Sequence, residues 1–124
     1  MDNKTIVTIE IHDGVETIGP SAFSGCDNLR RIIIPDSVKT IGDGAFDGCV
    51  SLGYIRIPDS VTEIGSRTFA NCYNLTSVFI PDSVTSIDLT AFDQCENVAI
   101  HASAGSCAEE FASIYENIRF VAAE

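Results

Sequence analysis

Four cysteines, Cys26, Cys49, Cys72 and Cys95, stand at one fixed interval of 23 residues. Phe23, Phe46, Phe69 and Phe92 repeat with the same step. So strict a period restricts the chain to a stacked-repeat solenoid, built from units that cannot bury their apolar face alone. Solenoids present extended surfaces to other molecules, so a binding or structural role is the first expectation. At 124 residues the chain forms one domain.

Aligned on the cysteine, the second unit reads Leu29-x-x-Ile32-x-Ile34-Pro35-Asp36-Ser37-Val38-x-x-Ile41-Gly42-x-x-Ala45-Phe46-x-x-Cys49. The third runs from Leu52 to Cys72 and the fourth from Leu75 to Cys95, with matching residues in nearly every column. The first is looser: Ile6, Ile9, Ile11, His12, Asp13, Val15, Ile18, Phe23, Cys26. The four repeats cover residues 6 to 97, within a repeat region of 1–102. Ile32 and Ile34 are β-branched and two apart, which predicts a strand with both on one face. Pro35 closes that strand, and the Pro-Asp-Ser run is turn chemistry. Gly19, Gly42, Gly65 and Asp88 share a column where a left-handed backbone is expected. The column before the cysteine, with Gly25, Gly48, Asn71 and Gln94, predicts a second such bend. The Ala-Phe-x-x-Cys arc is too short and glycine-flanked for a full helix, and a short helical turn is expected. Stacked about 4.8 Å apart, four coils give a column roughly 15–20 Å tall.

The run IPDSVTSIDLTAFDQC and its siblings resemble the BspA-like, treponemal-type leucine-rich repeats. The resemblance covers residues 6 to about 121 and recurs four times. The tail, Ala104-Gly105-Ser106-Cys107-Ala108-Glu109-Glu110-Phe111-Ala112 ending in Ile118-Arg119-Phe120-Val121, resembles that family's C-terminal cap, except that Cys107 stands at a usually aromatic position. The expected architecture is a right-handed leucine-rich-repeat superhelix. A parallel β-sheet forms one face and short turns or helical turns the other. A cap over residues 103–124 closes it, with a helix at 106–115 and a strand at 118–121. The resemblance implies bacterial or protist surface proteins that bind host or matrix proteins. Met1-Asp2-Asn3-Lys4 leads straight into the first strand with no apolar signal region. That leaves a short cytoplasmic member or a trimmed C-terminal piece of a longer surface protein, and the loose first repeat with no N-terminal cap makes the second the expectation. No stretch reaches the ~20 apolar residues that span a bilayer.

Net charge is −11, which disfavours nucleic acid and anionic membranes as partners. Asp13, Asp36, Asp59 and Asp82 form one column after the strands. Each is expected to cap its own turn through backbone amides. A calcium ladder is the alternative, but calcium needs a convergent set of oxygens and a linear ladder does not converge. The four periodic cysteines are expected to be buried free thiols in a core column. Their spacing does not suit zinc. No metal or cofactor site is expected. Cys107 opens the cap helix, whose dipole lowers thiol pKa values, and His101 lies six residues earlier. Against a Cys-His dyad stands a simpler assignment, in which Cys107, Phe111 and Tyr115, spaced by four, pack one helix face onto the last coil.

Strand alternation places Arg31, Ile33, Tyr54, Arg56 and Phe79 outward from Ile32 and its equivalents. Aromatics beside arginine match the composition of binding hot spots, although β-branched and aromatic residues also favour strands for their own sake. The leading expectation is a non-enzymatic scaffold that binds a protein on its concave strand face. The alternative is a structural piece that caps or spaces a longer array or assembles with itself. Weak symmetric dimerisation through the exposed edge of repeat one is also expected. No convergent acid–base set suggests an enzyme.

Overall fold

The computed structural model describes residues 7–123. Ile6, assigned to the first repeat, and the Met1-Asp2-Asn3-Lys4 run before it lie outside the described residues. The chain winds through two kinds of strand. The longer ones are β1 (Val7–Glu10), β3 (Leu29–Ile33), β5 (Tyr54–Arg56), β7 (Ser77–Phe79) and β9 (Val98–Ala102). Two-residue strands, β2 (Thr17–Ile18), β4 (Thr40–Ile41), β6 (Glu63–Ile64) and β8 (Ser86–Ile87), follow the first four after the Pro-Asp-Ser turn or its equivalent. The cap adds helix α1 (Cys107–Ala112) and strand β10 (Ile118–Ala122). All pairings are parallel and place equivalent residues of successive coils side by side, as in Tyr54 with Ser77 and Ile55 with Val78. The solenoid expected from the 23-residue period is the fold observed.

The core follows the columns of the sequence. Leu29, Leu52 and Leu75 are buried, as are Ile32, Ile55 and Val78. The phenylalanines stack with ring centroids 5.3–5.5 Å apart, and Phe111 extends their row 5.8 Å beyond Phe92. The rings within the coils lie within 16° of parallel, because each is held at the height of its own coil. Phe46 and Phe69 are wholly buried, whereas Phe23 is half-buried.

The Ala-Phe-x-x-Cys arc forms no helix. Its residues make consecutive turns, such as Cys49 N to Phe46 O at 3.1 Å, while alternate amides reach the next coil, such as Phe46 N to Thr68 O at 2.9 Å. Amides committed between coils are lost to an i→i−4 helix.

The glycine column is also not as expected. Gly19, Gly42, Gly65 and Asp88 are not left-handed; the positive-φ residues lie two positions later, at Ser21 (57°), Gly44 (66°) and Arg67 (55°). Gly42 serves close approach instead. A Cβ at Gly42 would overlap the Pro20 backbone, and one at Gly65 would overlap the Asp43 carboxylate. The bend before the cysteine is left-handed in all four coils: Gly25 (75°), Gly48 (79°), Asn71 (60°) and Gln94 (66°).

The cap helix is shorter than the 106–115 span. Ser106 caps it by accepting from Glu109 N, and Ser113 ends it. Beyond it the chain turns, with Tyr115 N bonded to Ala112 O at 3.2 Å and the Tyr115 hydroxyl to Leu89 O at 2.6 Å. Phe111 and Tyr115 still pack together, 5.1 Å apart, under the last coil.

Candidate functional site

The outward side chains of the long strands form two columns. One holds Thr8, Arg31, Tyr54, Ser77, Ala99 and Arg119; the other Glu10, Ile33, Arg56, Phe79, His101 and Val121. Arg31, Ile33, Tyr54 and Arg56 are exposed, and Phe79 is half-buried between its neighbours. All five residues singled out from the sequence therefore face outward. They do not belong to one continuous sheet: β1–β3 and β5–β7–β9–β10 are separate sheets.

The structure adds His101. Its ring stacks on Phe79 at 4.3 Å and 14°, and Tyr54 meets Phe79 edge-on at 5.5 Å. A row Tyr54–Phe79–His101 thus crosses three strands. The strict period conceals it. Arg56 to Phe79 is a step of 23 residues, but Phe79 pairs with His101, a step of 22. Counting 23 from Phe79 lands on Ala102, which is buried. A shortened link between Cys95 and β9 was the available signal. Beside this row lies an open groove of about 600 Å³, lined by Arg56, Asp59, Phe79, Asp82, His101 and Ser103 among others.

The aspartate column does not cap its turns. Asp13, Asp36, Asp59 and Asp82 make no side-chain hydrogen bond among the described residues, and the neighbouring serine bonds instead. Ser37 Oγ donates to Val15 O at 2.8 Å and Ser83 Oγ to Val61 O at 2.7 Å, each reaching back one coil. Ser60 Oγ lies 2.6 Å from Asp36 O and also against Val38 O. A serine hydroxyl donates to a carbonyl; a carboxylate cannot. Among the described residues no cluster of His, Cys, Asp and Glu has the arrangement of a metal site.

All five cysteines are free thiols. Cys49, Cys72 and Cys95 are buried as expected, but Cys26 is only half-buried because no described coil covers its outer side. The buried thiols are more than small hydrophobes. Cys49, Cys72 and Cys95 Sγ donate to the carbonyls of Phe23, Phe46 and Phe69 in the preceding coil, at 3.1, 3.2 and 3.0 Å. Burial pushes the Cys49 thiol up to about 12 and Cys95 to about 11, and raises Cys72 as well. Cys107 does not have the lowered pKa expected at a helix start. Burial, and then the charge of Glu110, raise it. No hydrogen bond joins it to His101, whose ring lies on Phe79. The Cys-His dyad is absent.

A family description of a BspA-type leucine-rich repeat region, in six copies, matches residues 1–117. The chain belongs to this family. Three solved structures share the fold. A leucine-rich cell surface protein from Faecalibacterium prausnitzii is 30% identical over 100% of this chain and 35% of its own, with a TM-score of 0.74. A leucine-rich repeat protein from Bacteroides ovatus is 26% identical over 94% of this chain and 36% of its own, also at 0.74. A leucine-rich repeat protein of T. pallidum is 28% identical over 77% of this chain and 58% of its own, at 0.62. The chain spans about a third of the length of the first two. A comparison with curated proteins finds no match. Among the described residues no helix is long and apolar enough to cross a membrane.

Proposed function

We propose that the protein is a non-catalytic scaffold that binds another protein on its concave strand face, with Arg31, Ile33, Tyr54, Arg56 and Phe79 at the contact. The observation that carries this is the makeup of that face. Exposed Ile33 and Tyr54 stand beside arginines that make no ion pair with any described residue. Aromatic and arginine side chains of this kind supply most of the energy of protein interfaces. The similar Faecalibacterium protein is a cell surface protein, which supports a surface setting for the partner. The test is capture from cell-surface and extracellular extracts. The captured protein is then identified and its affinity measured with both components purified. Tyr54→Ala and Arg56→Ala are each expected to weaken that affinity at least tenfold; unchanged affinity in both overturns the proposal.

A second reading rests on the first coil, where Phe23 and Cys26 are half-buried while their equivalents in coils two and three are covered. In that reading the module is a stretch of a longer array, or pairs weakly with a second copy through coil one. A shift of sedimentation coefficient with concentration, lost in Ile9→Lys, supports it.

A further inference from the structure

The aspartates behave in two ways. On the arc between the short strands and the cysteines they are engaged. Asp43 Oδ1 accepts from Ser66 N at 3.1 Å, and Asp47 accepts from Asn71 Nδ2 at 2.9 Å and Arg67 Nε at 3.3 Å. Asp88 accepts from Thr90 at 2.7 Å. At the exits of the long strands they are not. Asp59 and Asp82 are exposed and make no side-chain hydrogen bond or ion pair among the described residues. The same is true of Arg56. Exposed charges need no partner, so this alone indicates nothing. What sets these three apart is their place around one groove of about 600 Å³, beside the Phe79 and His101 rings. Those rings are already packed on each other, so they lose little rotamer freedom when a ligand covers them.

We infer that this groove takes an extended segment of a partner protein in which a basic and an acidic side chain lie close together. The basic group sits between Asp59 and Asp82, the acidic group on Arg56, and the aliphatic stems cover Phe79 and His101. This rests on the protein-binding role proposed above and names the partner's chemistry. Charge complementarity selects that occupant. Asp59 and Asp82 occupy equivalent positions on adjacent coils, whose strands run about 4.8 Å apart, so both carboxylates can face one cation. The Arg56 guanidinium offers a fork that fits a carboxylate. A segment of one sign only would meet a like charge in the groove, which selects against it. A glycan also stacks on aromatic rings but leaves all three charges without a counter-charge.

The probe is a displayed random dodecapeptide library panned against the full chain. Enriched sequences are expected to pair Lys or Arg with Asp or Glu around an apolar residue. A synthetic peptide of the enriched sequence should bind at least tenfold more weakly to Asp59→Asn/Asp82→Asn and to Arg56→Gln. Panning against the Asp59→Lys/Asp82→Lys variant should lose the basic preference and keep the acidic one, and Arg56→Glu should do the reverse. Unchanged melting temperatures show that the variants are folded. Enrichment without the charge pair, affinities indifferent to these variants, or no enrichment at all overturns the inference, as does binding confined to a glycan array. A captured protein partner that needs Tyr54 and Arg56 but not Asp59 and Asp82 overturns it and leaves the protein-binding role standing. A partner that needs none of the four overturns both.

Discussion

The turn arc and the strand face are made by the same coils but are held together differently. On the arc the backbone ladder runs through all four coils. Phe23 N reaches Ala45 O at 2.8 Å, Phe46 N reaches Thr68 O at 2.9 Å, and Phe69 N reaches Ala91 O at 2.8 Å. Beside it the phenylalanine row and the cysteine thiols repeat the same links, and Arg67 bridges Asp47 and Asp93 at 3.3 and 3.9 Å. On the strand side both ladders divide at the junction of coils two and three, between β3 and β5 and between β4 and β6. On this face the outward Glu10, Arg31, Arg56 and Arg119 make no ion pair among the described residues. Among the described residues, backbone hydrogen bonds cross the junction of coils two and three on the arc and not between paired strands, which centres cohesion there on the arc.

The arc should be most sensitive to substitution in the phenylalanine row. Phe46→Ala or Phe69→Ala should cost on the order of 3–5 kcal/mol, since each leaves a cavity between two neighbouring rings. Phe23→Ala should cost clearly less, because its ring is half-buried with one ring beside it. Equal urea midpoints for the three variants would refute an arc-centred cohesion.

The thiol column gives the next largest effect. The folded pKa values of Cys49 and Cys95 lie at about 12 and 11, above the ordinary 9.0 that the unfolded chain would show. The unfolded state therefore releases protons first. The stability is fully present below about pH 9 and is lost as pH rises towards 11 and 12. Between pH 9 and 10 each buried thiol should cost about 1 kcal/mol. Urea midpoints across this range check it, and a flat profile would mean that the thiols are not held in the core. A thiol reagent at neutral pH should label Cys26 and Cys107 well before Cys49, Cys72 and Cys95 in the native protein.

Substitutions on the strand face should leave the stack intact. Tyr54→Ala and Arg56→Ala should change stability by about 0.5 kcal/mol or less while reducing partner affinity. A loss of several kcal/mol would place these residues in the cohesion of the stack.

The architecture was legible in the repeat. A 23-residue period in Leu, Ile, Phe and Cys can bury those columns only by stacking coils, and the structure places them there. Strand alternation likewise determined that Arg31, Ile33, Tyr54, Arg56 and Phe79 face outward. Features that depend on contact between coils were not legible there. Gly42 is glycine because the Pro20 backbone of the neighbouring coil passes within Cβ distance, which no local φ argument detects. Ser60 rather than Asp59 bonds back to the coil before it, because carbonyls of that coil face the turn and only a donor can meet them. His101 joins Phe79 because the last coil is one residue short, and Asp59, Asp82 and Arg56 share a groove because three strands stand side by side. Periodicity records which residues repeat; spatial packing decides which repeating residues meet.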